Sequence, residues 1–523
     1  MASGTRRKRF DKKNLRGAKE DCRMPYLDWL VIALYAFGML AVGWYYSRRT
    51  ASTEDYLLGG RKMKPLSVGL SLFATLLSTI SYLAWPGEMI RYGPMLMIGA
   101  IASYPFIYLV VGWFLIPFIM KLKVTSAYEI LETRLGLTVR MLGSFLFLAL
   151  RLAWMAVIIF ATADKVVVLL MGWPSTATPY VCFVLGAITV IYTSMGGLRA
   201  VVFTDVVQTL ILFGGAILTL VLVTVYLGGV GEWWPSEWLA HWPEPVWGYQ
   251  PGVRVTFFGG FLATFTWYVC TSGSDQMAIQ RYLATRDVNA ARFVLGTSLV
   301  ASTLVTLIMI SVGLAIYAYF LENPHLLPAG QTMLGDADAV FPRFIASGMP
   351  MGLSGLVVAG LLAAAMSSLS SGINSSCSVI TVDFIDRFRR RRDGQPETDH
   401  VKLARYVSVF VGVAVVLLSL GVRMVEGNLL ELAMKVVNLL TAPLFGLFFM
   451  AMFVRWATGP GTLVGAVFGL VVAVVISFWK NFTGNEGIGF LWAMPLSLLV
   501  QVAVGMVVSL VIGSRKEGLG AGD

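Results

Sequence analysis

Apolar runs long enough to cross a lipid bilayer recur from one end of this 523-residue chain to the other. Each crossing needs about twenty residues of helix. Thirteen such runs stand out, at roughly 27–46, 65–92, 95–120, 141–171, 178–195, 198–227, 255–284, 291–321, 351–385, 402–423, 429–455, 459–479 and 489–513. Backbone N–H and C=O groups cannot stay unpaired in hydrocarbon, so runs of this length fold as helices. The expected class is an all-α polytopic membrane protein with about 13 transmembrane helices. Composition agrees: 57% of residues are hydrophobic and 13% charged, about half the charged fraction of an average soluble domain.

The same composition removes several function classes. Cys22, Cys182, Cys270 and Cys377 show no paired spacing and read as packing residues. His241, His325 and His400 are expected in loops, which leaves little for a metal centre or a histidine-based catalytic group. No nucleophile–base pair is evident, and no enzyme, organic cofactor or nucleic-acid partner is expected. The first apolar run has no small-residue cleavage site after it, so no removable signal peptide is expected. The lipid bilayer of the cell membrane is the expected surroundings, and the sequence leaves the oligomeric state open.

Lysine and arginine set the orientation. They gather after span one (Arg48, Arg49, Arg61, Lys62, Lys64) and span three (Lys121, Lys123, Arg134, Arg140). They gather again after span seven (Arg281, Arg286, Arg292) and span nine (Arg387, Arg389, Arg390, Arg391, Arg392). The loop 228–252 has Glu232, Glu237 and Glu244 and no Lys or Arg. Odd-numbered spans are therefore expected to end in the cytoplasm, with the N-terminus outside and the C-terminus inside. Residues 1–23, strongly basic, contradict this, and Met24 is read as the natural start. The tryptophan-rich outer loop (Trp233, Trp234, Trp238, Trp242, Trp247) is expected to be an interfacial belt or lid.

One span is unlike the rest. Gly355–Phe384 is long enough to cross, yet its middle reads Ala364-Ala365-Met366-Ser367-Ser368-Leu369-Ser370-Ser371. On a helix Ala364, Ser367, Ser368 and Ser371 share one face, with Ser370 beside it. A hydroxyl stripe at membrane depth suits a small hard cation, which prefers oxygen ligands. Its alternative is ordinary hydrogen bonding to the carbonyl one turn back or to a neighbouring helix. Span six adds an intramembrane acid, Asp205, costly unless it meets a cation or a proton.

Two spans look interrupted. Span two carries seven hydroxyls from Ser67 to Tyr82 and a late Pro86-Gly87, which suggest a break near the bilayer middle, and span seven carries Thr271-Ser272-Gly273-Ser274-Asp275-Gln276. Broken helices at matching places, five spans apart, are the sequence mark of an inverted-repeat transporter. The expected organisation is a tail (1–23), an extra helix with its loop (24–64) and a first repeat (65–227). The outer loop (228–254), a second, inverted repeat (255–455), two extra helices (456–513) and a tail (514–523) follow.

The run Gly196-Gly197-Leu198-Arg199-Ala200-Val201-Val202-Phe203-Thr204-Asp205-Val206-Val207-Gln208-Thr209 resembles a signature of the sodium:solute symporter family. So do Ile279-Gln280-Arg281-Tyr282-Leu283-Ala284, Ala364-Ala365-Met366-Ser367-Ser368 and Asn374-Ser375, in order and at family spacing. The resemblance implies a LeuT-type fold with two inverted five-helix repeats, and Na+-driven uptake of a small-molecule solute by alternating access. It implies a main sodium site from the carbonyls of Ala74, Leu77 and Ala364 and the hydroxyls of Ser367 and Ser368. It implies a second from Asp205, Ser367, Ser370 and Ser371.

The solute is less legible. Pro86–Gly93 looks like the iodide, monocarboxylate and vitamin branch, so an organic anion is expected. The family's sugar transporters place a sugar-binding Gln where this chain has Met434, which speaks against a sugar, the first alternative. A ligand sensor on the same fold is the second, and no signalling domain follows span thirteen. Candidate solute contacts are Ser78, Ser81, Arg151, Asp275, Gln276 and Met434. Arg151 has two readings, partner of an anionic solute or of a buried carboxylate.

Overall fold

The structure, a computed structural model, describes residues 25–49, 52–121, 124–327, 330, 332–388, 397–422, 429–485 and 487–520, with side chains for all of these except 397–400, 429–434, 436 and 514–520. The basic tail 1–23, the arginines at 389–392 and the side chain of Met434 fall outside the described residues. Among those described, every regular element is a helix.

Span one is α1 (Tyr26–Ser47), followed by a short helix α2 (Thr53–Leu58). Span two is broken into α3 (Pro65–Leu76) and α4 (Thr79–Tyr92), which meet at 65°. Span three begins as α5 (Met95–Val110) and runs on to Lys121. A short α6 (Glu129–Leu135) leads into span four, α7 (Leu137–Ala161). Spans five and six form one 50-residue element, α8 (Thr178–Leu227), interrupted at Gly197 with φ 60 and ψ −162. Only glycine fits there: a Cβ would stand 2.7 Å from the Tyr56 carbonyl oxygen of α2. Span seven is again a pair, α9 (Phe257–Ser274) and α10 (Gln276–Leu283).

The second half continues with α11 (Val288–Glu322), the surface helix α12 (Ala337–Gly348) and α13 (Leu353–Val379). It closes with α14 (Glu397–Val422), α15 (Leu429–Phe453), α16 (Gly459–Ser477) and α17 (Ala493–Gly520). Nine of the helical stretches among the described residues are long and apolar enough to cross on their own, and the bent pair α3–α4 makes a tenth. Gly197 divides α8 in two, and the sequence runs 255–284 and 429–455 are helical as α9–α10 and α15.

The packing carries the mark of an inverted repeat. Span three (α5) lies against α9, and span eight (α11) lies against α3. Exchanging the two repeats turns one of these contacts into the other. Extra helix α1 packs on α8 and α13, and α16 and α17 pack on each other at the far side of α15.

The break in span two falls at Leu77–Ser78, near the middle of the span as expected, and the late Pro86-Gly87 pair does not make it. Pro86 lies inside α4, and Gly87 lets α12 approach so closely that a Cβ would meet Asp338 Oδ1 at 2.9 Å. A proline is tolerated in a membrane helix when neighbours satisfy the freed carbonyl. His400, expected in a loop, falls in the first turn of α14. The tryptophan loop divides its roles. Trp242 is buried and donates to the Ile90 carbonyl (3.1 Å), capping the end of α4, whereas Trp234 and Trp247 are exposed.

Candidate functional site

Helix α13 runs through the middle of the bundle, with every residue from Val357 to Val379 buried. Its serines meet the end of α3. A helix leaves its last carbonyls without intrahelical donors, and α3 stops because Leu77 turns to an extended conformation (φ −90, ψ 122). Two hydroxyls of α13 fill the gap. Ser367 Oγ donates to the carbonyls of Ala74 (2.9 Å) and Ala364 (3.1 Å). Ser368 Oγ donates to those of Thr75 (3.2 Å) and Leu77 (3.1 Å). Three backbone oxygens and two hydroxyls named from the sequence, Ala74, Leu77, Ala364, Ser367 and Ser368, thus come together at the first helix break. Thr75 joins them.

On the same flank of α13, Ser371 shares a 2.8 Å hydrogen bond with Thr75, and Ser370 donates to the Ser367 carbonyl (3.1 Å). Asp205 of α8 is completely buried there. Its Oδ2 accepts from Ser71 Oγ (2.5 Å) and from Arg281 Nη2 (3.3 Å). Arg281 is also fully buried, and donates in addition to Ser71 Oγ (3.0 Å), Ser371 Oγ (2.5 Å) and the Met277 carbonyl (2.8 Å). Sequence reasoning missed this arginine as a partner of the acid. A buried carboxylate on span six needs a cation, and the only Arg inside span seven was the signal that could have found it.

The expected solute contacts separate into two groups. A cavity of about 170 Å3 opens beside the first break, lined by Leu77, Ile80, Ser81, Trp85, Tyr104, Trp154, Trp267, Tyr268, Ser302, Thr306 and Asn438, among others. Ser81 is there. Ser78 is not among the lining residues: it is the N-cap of α4, accepting from Ser81 N at 3.5 Å. Arg151, Asp275 and Gln276 do not line the cavity either. Arg151 donates to Asp275 Oδ2 in a closely paired buried salt bridge, so of its two readings the structure takes the carboxylate. Asp275 Oδ1 also accepts from Met277 N (2.8 Å), capping α10. Gln276 holds the segment before α6: its Nε2 donates to the Thr125 carbonyl (2.9 Å) and its Oε1 accepts from Ala127 N (2.9 Å). The amide that faces the cavity from span eleven is Asn438, one turn beyond Met434, whose Nδ2 donates to the Phe490 carbonyl (3.1 Å).

A helical membrane protein with inverted packing, two broken helices and oxygen-rich groups at one break belongs to the class of secondary transporters. Comparison with known proteins narrows the class. Residues 56–469 match the sodium:solute symporter family, and the chain belongs to it. It is 29% identical over 473 residues to the sodium/sialic acid symporter SiaT of Proteus mirabilis, covering 87% of this chain and 90% of that one. It is 30% identical over 520 residues to the sodium-dependent multivitamin transporter of Oryctolagus cuniculus, covering 94% and 78%. Among solved structures it is similar to a Na+-coupled sialic acid symporter in a substrate-bound, outward-open state. The TM-score is 0.78, the identity 26%, and the coverage 93% of this chain and 98% of that one. The protein is a multi-pass membrane symporter that couples a small-molecule solute to Na+, on a LeuT-type fold, and not an enzyme.

Proposed function

We propose that this chain imports a small organic anion, a monocarboxylate or a ring-bearing vitamin, together with two sodium ions per cycle by alternating access. One sodium ion is held by the carbonyls of Ala74, Leu77 and Ala364 with Ser367 and Ser368. The other is held by Asp205 with Ser367, Ser370 and Ser371. Lysine and arginine concentrate after spans one, three, seven and nine, which puts the N-terminus outside and the C-terminus in the cytoplasm. The cavity then lies in the outer half of the bundle.

The observation that carries the solute class is the lining of that cavity. Its walls are aromatic (Trp85, Tyr104, Trp154, Trp267, Tyr268), and no charged side chain is among its lining residues. The polar groups are few: Ser81, Thr264, Ser302, Thr306 and Asn438. Ile80 and Ser81 bring the first turn of α4 to the wall. A helix N-terminus carries free N–H groups and about half a positive charge, which suits a carboxylate. A compact apolar body fits the rings, whereas a polyhydroxylated solute leaves hydroxyls unpaired against them at a cost of about 1–3 kcal/mol each. Relatives of nearly equal identity are named for sialic acid and for vitamins, so similarity alone does not choose between these.

Coupling follows from the position of Leu77. Its carbonyl accepts from Ser368, and the same residue lines the cavity. When a cation enters, the serine hydroxyls turn their lone pairs to it and release the carbonyls to do likewise. The end of α3 is then fixed, and with it the first turn of α4 that the solute meets. Uptake into proteoliposomes tests the reading, with labelled lactate, nicotinate, biotin and N-acetylneuraminate under a sodium gradient. Uptake of a monocarboxylate or vitamin, with mutual competition, is expected. Uptake of N-acetylneuraminate alone overturns the solute class.

A further inference from the structure

The cavity beside the first helix break has a wall that the two repeats do not supply. Its other lining residues come from spans two, three, four, seven, eight and eleven, but Phe490, Leu491 and Met494 come from the start of span thirteen. Phe490–Trp492 form a single tight helical turn, and α17 begins at Ala493. Leu491 and Met494, three residues apart, are neighbours on one side of this start. They are 6% and 2% exposed.

The turn is tied down on several flanks. Gly489 N donates to the Pro251 carbonyl (2.7 Å) near the end of the outer loop. Asn438 Nδ2 of α15 donates to the Phe490 carbonyl (3.1 Å). The Trp492 ring meets Tyr249 edge-on at 4.7 Å between centroids and packs on Phe258 of α9 at 6.1 Å. Arg254 adds a link to α4. It donates to both oxygens of the buried Glu88 (2.6 and 3.1 Å), one turn beyond the lining residue Trp85. The same guanidinium lies 3.9 Å from the centre of the Tyr92 ring and 5.6 Å from that of Phe490.

A wall held in this way does not retreat before a larger solute. The side chains that it shows are apolar, so it meets the body of the solute and not its carboxylate. In a cavity of about 170 Å3, a single methylene then decides whether that body fits. One methylene in an apolar pocket discriminates between substrates by about ten- to two-hundredfold.

We infer that Leu491 and Met494, on a helix outside both repeats, set the size limit for the apolar part of the solute. The inference rests on the cavity being the solute site, as proposed above, and not on which solute it takes. The repeats then carry the ions and the conformational cycle, and a helix added to them carries part of the selectivity.

The test is uptake into proteoliposomes, with KM measured for the smallest and the largest members of the panel above that the wild type takes up. Met494→Phe narrows the cavity and is expected to raise KM for the larger solute about tenfold or more, and for the smaller less than about threefold. Half-saturating sodium at saturating solute is expected to stay within about twofold. Met494→Ala and Leu491→Ala are expected to shift the KM ratio the other way, and they carry the test if Met494→Phe does not fold. Met494→Cys gives a second readout. A small water-soluble methanethiosulfonate is expected to abolish its uptake faster than that of the wild type, and saturating solute to slow the loss.

An unchanged KM ratio in all three size variants overturns the inference, and so does modification of Met494→Cys that solute does not slow. If only one member of the panel is taken up, the wall stands on a KM raised about tenfold or more in Met494→Phe, together with protection of Met494→Cys, and falls without them. Where that member is N-acetylneuraminate, the solute class above falls as well, whatever the wall does. If no member is taken up or slows the modification, the proposed solute site falls and this inference with it.

Discussion

The two helix breaks each turn on one residue of nearly the same backbone conformation, and their surroundings are opposite. Leu77 and Asp275, the residues at which α3 and α9 stop, have φ, ψ of −90, 122 and −85, 122. At the first break the residue is apolar, so the carbonyls of Ala74, Thr75 and Leu77 meet only hydroxyls from α13, which can turn away. Its N-cap is a long contact, Ser78 Oγ to Ser81 N at 3.5 Å. At the second break the residue is an acid. Asp275 caps α10 at 2.8 Å and takes Arg151 of α7, while Tyr128 Oη donates to the Ser274 carbonyl (3.0 Å) and Gln276 holds Thr125 and Ala127. The two repeats share a break, and side-chain chemistry makes one copy the proposed binding place and pins the other with a salt bridge.

The largest effect that would break this comparison is at the salt bridge. Asp275→Ala leaves Arg151 buried without its counter-charge and is expected to lower stability by about 3–5 kcal/mol, read by thermal melting in detergent. Arg151→Met combined with Asp275→Leu is expected to recover most of the loss. A single mutant as stable as the wild type would mean that the second break is not locked by this pair.

At the first break the effect falls on the ion instead. Ser368→Ala is expected to raise the sodium concentration for half-maximal uptake about 10–100-fold, the equivalent of about 1.5–3 kcal/mol for one contact to a charge. Melting in sodium-free buffer should barely move. Unchanged sodium activation in the purified mutant would remove Ser368 from the main site.

The smallest effect separates ion from solute within the first break. Ser81→Ala is expected to raise KM for the solute about three- to tenfold, the equivalent of one hydrogen bond, with half-saturating sodium unaltered. A parallel shift in sodium dependence would place Ser81 with the ion.

Much of this was legible beforehand, for reasons that differ residue by residue. Helical period alone puts Ser367, Ser368 and Ser371 on one face of α13, and Thr271–Gln276 is polar enough to mark the second break. The carbonyls of Ala74 and Leu77 have no side-chain signature, so only the family resemblance pointed to them. That span two breaks near its middle was readable from its hydroxyls, but the residues were not: no Gly or Pro marks Leu77–Ser78, while Pro86, the obvious breaker, sits within α4. A buried carboxylate was one reading of Arg151, but the partners in both ion pairs could not be named, because they lie far apart in the chain, 124 residues for Arg151 and Asp275 and 76 for Arg281 and Asp205. Asn438, the one amide of span eleven, was passed over in favour of Met434, which stands at the family's sugar position.

The pairing of Arg151 with Asp275 and of Arg281 with Asp205 has an electrical consequence. Around the two breaks the fixed charges cancel, so the empty protein brings no net charge from this region across the membrane when it reorients. Each sodium ion that enters adds a whole one. A transmembrane voltage then acts chiefly on the loaded form, by about 2.3 kcal/mol per net charge for every 100 mV. The return of the empty carrier is expected to be nearly voltage-independent, and a negative interior draws the loaded one inward.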